Sequence, residues 1–208
     1  MNATAQRAKR VGGSAFLLFF LASIAAAQNP QPAGRGGGRG GRRAVEVMKL
    51  STTAWQDGGV IPAKFAQPGR DVSPPLTWTA GPEGTASFVL LAHDIDGATG
   101  NGTDDMLHWL VWNIPKDATS LPEGIPQSPQ RADGSRQISA TGPYYRGPAA
   151  PSTGPAHHYV FEIFALDTLL DVPSVGVQPG PTRTAVMAAM AGHVRGKGAM
   201  VGTFKRSP

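Results

Sequence analysis

The sequence contains no cysteine, and this absence removes several kinds of site. Without thiols the chain can form no disulfide bridge, no zinc–thiolate site and no thiol nucleophile. A chain of 208 residues is nevertheless long enough for a domain with a substantial hydrophobic core. We therefore expect a fold that packing and hydrogen bonds hold together without covalent cross-links.

Several short catalytic motifs are also missing. The sequence has no G-x-S-x-G nucleophile elbow, no H-E-x-x-H zinc motif and no G-x-x-x-x-G-K-[ST] phosphate loop. Their absence argues against an α/β-hydrolase, a zinc protease of that type and a P-loop nucleotidase.

Positive charge is not in excess over most of the chain, although the net charge of the whole is +5. Seven of the 19 lysines and arginines precede residue 44, in a stretch without acidic residues. From residue 44 onward, 12 basic residues face 14 acidic ones, a net charge of −2. This balance does not provide the basic surface that nucleic-acid binding needs, so we expect no nucleic-acid partner.

The first 27 residues have the three parts of a secretory signal peptide. The basic residues Arg7, Lys9 and Arg10 precede the apolar stretch Ala15–Ile24, and Ala25–Ala27 offers a small-residue cleavage site. Ten apolar residues are few for a membrane-spanning helix, although an uncleaved anchor is the alternative. We expect export to the periplasm or the medium, with no transmembrane anchor after processing.

Composition divides the rest of the chain into two parts. Residues 28–44 are rich in glycine, arginine and proline and have little to bury, which indicates a flexible tether. Residues 45–208 are long enough to form one domain with its own core.

Apolar stretches with partial period-two alternation predict six or seven strands and a mainly antiparallel β fold with few helices. One helix is expected at Thr184–Val194, because apolar residues recur there at helical spacing and Thr184 can cap its start. The clearest predicted strands are Val45–Ser51, Ala86–Ile95, Met106–Ile114, His157–Leu166 and Ala199–Phe204.

Polar side chains interrupt these strands close to loops. Period two places His157 and Tyr159 on one face, beside the loop that contains Gly147. The same rule places Asp94 and Asp96 on one face at the end of another strand.

His108 lies within an otherwise apolar strand, and the alternation predicts that it shares a face with Leu110 and Trp112. A histidine buried there needs a partner, and Asp94 could fix its tautomer or hold it charged. Imidazole and phenol donors, with free backbone N–H groups near Gly147, would suit a small anion.

Six motifs occur in a fixed order: Asp71-Val-Ser-Pro-Pro-Leu-Thr-Trp78; Asp94-Ile-Asp96; His108-Trp-Leu-Val-Trp-Asn-Ile-Pro115; Tyr145-Arg-Gly-Pro148; His157-His-Tyr159 with the strand after it; and Gly192-His-Val194 with Val201-Gly-Thr-Phe204. In this order they resemble the phosphatidylethanolamine-binding protein family, specifically its bacterial Raf-kinase-inhibitor-like branch. The resemblance covers about Val45 to Lys205. It implies a large antiparallel β-sheet packed on a smaller one, with a small pocket at one end.

The resemblance also implies that the pocket accepts phosphate-like anions, including phosphorylethanolamine. We expect neither a metal nor another cofactor in it. The implied ligand-binding residues are Asp94, Asp96, His108, Gly147, Pro148, His157 and Tyr159.

The chain departs from the family pattern in three places. The acidic motif usually reads Asp-Pro-Asp-Ala-Pro, whereas this chain has Ile95 and Gly97-Ala98. The loop after Tyr145 usually carries more proline, where this chain has Ala149-Ala150, and His158 stands where arginine is common. The first two changes are expected to loosen the pocket rim.

Two functions of different classes remain. The first is a non-catalytic binder that modulates or inhibits a partner protein, whose identity the sequence does not give. The second is a hydrolase or metal-binding enzyme that uses Asp94, His108 and His157. The missing catalytic motifs favour the first function, so we expect no enzymatic activity.

Signal peptidase should cut after Ala27, because Ala25 and Ala27 supply the small side chains it requires. N-terminal sequencing of exported protein should then begin at Gln28. A mature protein that begins at Met1 would contradict the predicted export.

Overall fold

The computed structural model describes residues 44–208. The predicted signal peptide, 1–27, and all but the last residue of the predicted tether, 28–44, lie outside this range. Within it, no helix combines the length and the apolar character needed to cross a membrane.

The described part of the chain folds into two β-sheets with one α-helix, which confirms the predicted β-rich class. The larger sheet has the strand order β1-β9-β8-β4-β5-β7, and the smaller has β2-β3-β6. All pairings between these strands are antiparallel except that of β1 with β9. The strands are β1 (Glu46–Val47), β2 (Leu50–Ser51), β3 (Leu76–Trp78), β4 (Ser87–Thr99), β5 (Asp104–Pro115), β6 (Ser120–Leu121), β7 (Arg136–Ile138), β8 (His157–Leu166) and β9 (Val194–Phe204).

Each face of the larger sheet covers its own hydrophobic cluster. Leu50 and Trp78 of the smaller sheet pack with Tyr159, Phe161 and other residues of the larger sheet in the first cluster. The helix α1 (Pro179–Met190) closes the second cluster, which contains Val89, Leu91, Trp112 and Phe164 of the sheet. Side chains alternate between the two faces of a strand, so β4 and β8 supply both clusters.

The helix does not span the predicted Thr184–Val194. It begins at Pro179, where the fixed φ of proline suits the first helical position and its missing N–H costs no bond. It ends at Met190, and Gly192, with φ +84°, turns the chain into β9. Thr184 is therefore inside the helix, where its hydroxyl donates to the Gly180 carbonyl.

The predicted first strand, Val45–Ser51, is also wrong as a single element. It divides into β1 and β2, which belong to different sheets. The Met48 N–H still donates to the Lys197 carbonyl of β9, and the chain enters the smaller sheet at Leu50.

A β-bulge at His108 overturns the predicted face of that residue. Trp109 pairs with Ala92, but Leu107 pairs with His93, so His108 is an extra residue in β5. An extra residue reverses the alternation beyond it. Leu110 and Trp112 lie in the cluster beneath α1, whereas His108 packs on Tyr159 on the opposite side of the sheet.

Charged residues of alternating sign form a chain across the face that carries α1. His93 Nδ1 lies 2.5 Å from Asp105 Oδ2, and its Nε2 lies 3.4 Å from Glu162 Oε2 without hydrogen-bond geometry. Arg183 of α1 pairs with Asp105, and Lys197 Nζ lies 2.7 Å from Glu162 Oε1. The chain therefore links four neighbouring strands to the helix.

The surroundings of this charge chain shift its pKa values in opposite directions. Burial lowers the pKa of His93, but the bonds and charges of Glu162 and Asp105 outweigh it and leave that pKa above 6.5. The interactions of Glu162 with His93 and Lys197 hold the pKa of Glu162 below its ordinary value, against burial. Charged His93 thus stabilises the fold below pH 6.5, and this contribution is lost as the pH rises through its raised pKa.

Replacing His93 by glutamine should therefore destabilise the protein in a pH-dependent way. At pH 6 we expect a loss of about 1.5–3 kcal/mol, the usual worth of hydrogen bonds to charged groups, with a smaller loss at pH 9. Urea unfolding at both pH values measures the difference. His193→Gln is the control, because His193 is an exposed partner of Asp167 and should matter by less than about 1 kcal/mol at either pH. A loss from His93→Gln that is the same at both pH values would contradict the charge-chain account.

Candidate functional site

A buried carboxylate, Asp94, lies at the end of the regular part of β4. Its residue is 5% exposed, and it pairs in register with Tyr159 of β8. Oδ1 accepts the backbone N–H groups of Asp96 and Gly97, at 3.0 and 2.9 Å, and Oδ2 lies 2.8 Å from His157 Nδ1. Every strong bond that this carboxylate accepts thus comes from the strand end or from the histidine that opens β8.

His108 reaches the same place from β5 because of its bulge. Its Nδ1 lies 2.7 Å from the carbonyl oxygen of Arg146, so this backbone group, and not Asp94 as expected, fixes the tautomer. A carbonyl can only accept, so Nδ1 carries the proton. Nε2 is buried and has no hydrogen-bond partner among residues 44–208.

The protonation of His108 follows from its burial. Burial lowers the pKa of His108, and the bond to the Arg146 carbonyl and the charge of Asp94 oppose this only in part. Neutral imidazole with its proton on Nδ1 leaves a lone pair on Nε2. In the free protein near neutral pH, this nitrogen is therefore a buried acceptor and not the donor that we expected.

Tyr159 packs edge-on against His108, with ring centroids 5.0 Å apart. Its phenol oxygen accepts the N–H groups of Ala149 and Ala150, at 3.3 and 3.2 Å. Burial first, and then the neighbouring Asp94 carboxylate, raises the pKa of Tyr159 to about 12. The phenol thus stays protonated, and donation is the one role left to its hydroxyl.

The two alanines that depart from the family pattern supply these N–H groups. Proline at either position would have no N–H to donate to Tyr159. In the acidic motif, Ala98 stands where the family usually has proline. Ala98 pairs with Asp105 and extends the β4–β5 hairpin, a position that disfavours proline. Ala149 and Ala150 thus make rim hydrogen bonds that proline could not make.

Gly147 and Pro148 directly follow Arg146, whose carbonyl binds His108, and we call this segment the wall; it does not offer the expected free N–H. The Gly147 N–H donates to Asp71 Oδ1 at 2.6 Å. Gln67 holds both carbonyls, through its side chain to Gly147 and its backbone N–H to Pro148. The need for glycine is steric, because a Cβ would lie 2.3 Å from the Phe65 carbonyl oxygen.

Asp96 lies apart from the buried group. Its exposed carboxylate accepts both the backbone N–H and the ring N–H of His158, which lower its pKa. Asp94 and Asp96, which were predicted to share a face, thus pair with different histidines: Asp94 with His157, and Asp96 with His158. The regular pairing of β4 ends at Asp94, so period two does not extend to Asp96.

Sequence reasoning missed three residues that build the wall: Gln67, Asp71 and Arg146. Asp71 opens one of the motifs, and its φ of +53° is rare for a non-glycine residue. That strained conformation accompanies its bond to Gly147. Gln67 and the Arg146 carbonyl make contacts that no local pattern marks.

The structure therefore brings together Asp94, His108, His157 and Tyr159, which we call the pocket group. It offers one negative charge, a partly exposed imidazole, a buried imidazole acceptor and a phenol donor. In residues 44–208, no three His, Cys, Asp or Glu side chains come close enough to hold a metal ion.

Comparison with known sequences identifies relatives over most of the chain. The family model for phosphatidylethanolamine-binding proteins matches residues 51–205. A UPF0098 protein from Methanothermobacter thermautotrophicus is 38% identical over 161 residues, which cover 76% of this chain and 99% of that protein. A Mycobacterium tuberculosis protein named as a lipoprotein, LppC, is 32% identical over 164 residues, or 78% of this chain and 74% of that one.

Solved structures of related proteins have the same fold as this chain. The phosphatidylethanolamine-binding protein homolog CT736 from Chlamydia trachomatis has a TM-score of 0.64 and 27% identity, and the match covers 78% of this chain and 99% of that one. Escherichia coli YbcL has a TM-score of 0.60 and 24% identity, with 77% and 99% covered. The expected fold, a large sheet packed on a smaller one, is confirmed.

Gly147→Ala should destabilise the protein by about 1–3 kcal/mol, because the new Cβ would overlap Phe65 O and lie 2.7 Å from Asp71 Oδ1. Denaturant unfolding measures this loss. Gly180→Ala is the matched control, since its Cβ meets nothing within 4 Å and alanine favours a helix. Equal stability of Gly147→Ala and the wild type would show that the wall is not closely packed.

Proposed function

Because the chain belongs to the phosphatidylethanolamine-binding protein family, we propose that it is a non-catalytic binder of small anions such as phosphate and the phosphoryl head group of phospholipids. In this proposal ligand occupancy modulates a protein partner, which the chain would regulate or inhibit. The pocket group is the ligand site.

One observation supports the proposal most directly: buried Asp94 and His157 form a pair beside two further polar groups whose bonding capacity is not used up. His157 Nδ1 is held by Asp94, and in the protonated ring the opposite nitrogen is a free donor. The Tyr159 hydroxyl can donate as well. Buried polar groups are normally satisfied, so incomplete bonding in a cluster of this kind points to a ligand.

The chemistry of the group suits weak, selective capture. A small anion makes few contacts and must lose strong hydration, so we expect a dissociation constant on the order of millimolar, or about −4 kcal/mol. The Asp94 carboxylate disfavours highly charged anions, because it repels a negative ligand. A protonated imidazole in the site would offset this repulsion.

Export is part of the same proposal. The signal-peptide pattern of residues 1–27 supports it, and the relative named as lipoprotein LppC is compatible with it. The processed protein would act in the periplasm or outside the cell, without a transmembrane anchor.

The enzymatic alternative has no comparable support. A metal-dependent hydrolase would need ligands from Asp94, His108 and His157, but among the described residues no three His, Cys, Asp or Glu side chains are placed to hold a metal ion. We therefore do not propose catalysis.

Loss of the His157 imidazole should abolish detectable binding. His157→Ala removes a donor to the anion, which is worth about 1.5–3 kcal/mol of binding free energy when the ring is charged. A site of millimolar affinity that loses this much would bind too weakly to be detected. Titration of phosphate or phosphorylethanolamine at pH 6, followed by NMR, tests this. His158→Ala is the matched control, because His158 is the adjacent histidine with its own carboxylate partner, Asp96. It should bind as the wild type does.

Tyr159→Phe should weaken binding by about 1 kcal/mol, because the ring still packs on His108 and only the hydroxyl is lost. The same NMR titration measures it. If phosphate leaves the ring signals of His108 and His157 unmoved at pH 6 in the wild-type protein, the anion-binding proposal fails.

A further inference from the structure

The hydrogen-bonding roles of the pocket group are fixed before any ligand arrives. His108 Nδ1 must donate, because its partner is the Arg146 carbonyl oxygen at 2.7 Å. The neutral ring therefore presents a lone pair at Nε2, which is buried and without a partner in residues 44–208. Tyr159 shows the reverse pattern, since its oxygen accepts from Ala149 and Ala150 and only its O–H remains.

These two neighbouring groups call for opposite things from a ligand. Tyr159 can donate its O–H to the Asp94 carboxylate beside it or to a ligand, whereas His108 Nε2 needs a donor that the described residues do not supply. The two rings are in edge-to-face contact, with centroids 5.0 Å apart, so both groups belong to one small site. An anion with oxygens alone would satisfy Tyr159 and leave two lone pairs facing each other at His108.

Adding a proton to His108 is the other way to remove that conflict, and the structure opposes it. The charged and titratable groups around His108 are Asp94 of β4, His157 and Tyr159 of β8, and Arg146 of the adjacent loop. Burial outweighs the help of Asp94, so the pKa of His108 lies below 6.5. A ligand that brings its own hydrogen avoids this cost.

We propose that the pocket group selects phosphate carrying one proton, as a monoester monoanion or as inorganic dihydrogen phosphate, over phosphodiesters and sulfates. This rests on the anion-binding function proposed above and specifies its ligand. The P–OH group donates to His108 Nε2, and the other phosphate oxygens accept from Tyr159 and from His157. When a dianion binds, one proton from solvent enters the complex and lies between the phosphate oxygen and Nε2.

The proposal separates two sources of the same phosphoryl chemistry. The second ionisation of a phosphate monoester has a pKa of about 6, so near neutral pH a sizeable fraction still carries the proton. The phosphate of an intact phospholipid is a diester and has no O–H to give. A soluble monoester or free phosphate is thus the favoured ligand, and the lipid head group in its membrane-bound form is disfavoured.

Three ligands of similar size test this: ethyl phosphate, of which about half is the monoanion at pH 6, and the monoanions ethyl sulfate and dimethyl phosphate. Only the first carries an O–H. NMR titration of the purified protein at pH 6 should give a dissociation constant for ethyl phosphate that is at least about tenfold lower than for the other two, because a site built for a donor rejects analogues that lack it. From pH 7 to pH 8 the constant for ethyl phosphate should rise about tenfold, in step with loss of its monoanion.

The outcomes distinguish this inference from the function on which it rests. Equal binding of all three ligands at pH 6 would overturn the selectivity and leave the anion pocket intact. Tighter binding of dimethyl phosphate, or of vesicles of phosphatidylethanolamine, would overturn it in favour of the diester. Absence of binding by every anion would remove the proposed function itself.

Two further measurements address His108 directly. Long-range ¹H–¹⁵N spectra at pH 7 should show a protonated Nδ1 and a bare Nε2 in the free protein; a proton on Nε2 would overturn the proposal. His108→Gln places an amide, which can donate, near the ligand, so the preference for ethyl phosphate over ethyl sulfate should fall to about twofold or less. The spectra use the native protein, so the proposal stays testable if this variant does not fold.

Discussion

The need to satisfy one buried carboxylate, that of Asp94, determines the geometry at this end of the larger sheet. A buried charge is costly unless it is paired and hydrogen-bonded, and Asp94 meets the requirement with two backbone N–H groups and His157. Its bonds to Asp96 and Gly97 bend the backbone and end the regular pairing of β4. Its bond to His157 positions the start of β8. A Cβ at residue 97 would lie 3.0 Å from Asp94 Oδ2, so glycine there lets the backbone turn close to the carboxylate.

The bulge in β5 places the second imidazole. Without an extra residue in the ladder, His108 would face α1 together with Leu110 and Trp112, in an apolar layer with no bond for it. The bulge moves it to the Tyr159 side, where the Arg146 carbonyl fixes its proton. The two histidines of the pocket group thus differ in kind: His157 is tied to a carboxylate, and His108 to a neutral carbonyl. That difference separates a donor from an acceptor within one site.

The sequence was sufficient to predict the features that depend on local periodicity. The strand His157–Leu166 has its predicted bounds, and its alternation correctly put His157 and Tyr159 on one face. The bulge could not be predicted, because an extra residue in a ladder is defined by the partner strand and leaves no trace in the periodicity of β5.

The helix start was missed because Pro179-Gly180-Pro181 has the composition of a connector, although the first turn of a helix tolerates it. Gln67 and Asp71 were missed because they act on Gly147 from about 80 residues away in sequence.

Adjacent residues of β4 carry opposite electrostatic arrangements on the two faces of the sheet. The His93 ring lies between the carboxylates of Asp105 and Glu162 on the side of α1, and the Asp94 carboxylate is held by N–H donors and His157 on the pocket side. Because both are fixed to the same short piece of backbone, a shift of β4 that relaxes one arrangement disturbs the other. A ligand bound beside Asp94, as proposed above, would therefore contact a strand whose other face is bonded to the helix through His93 and Asp105.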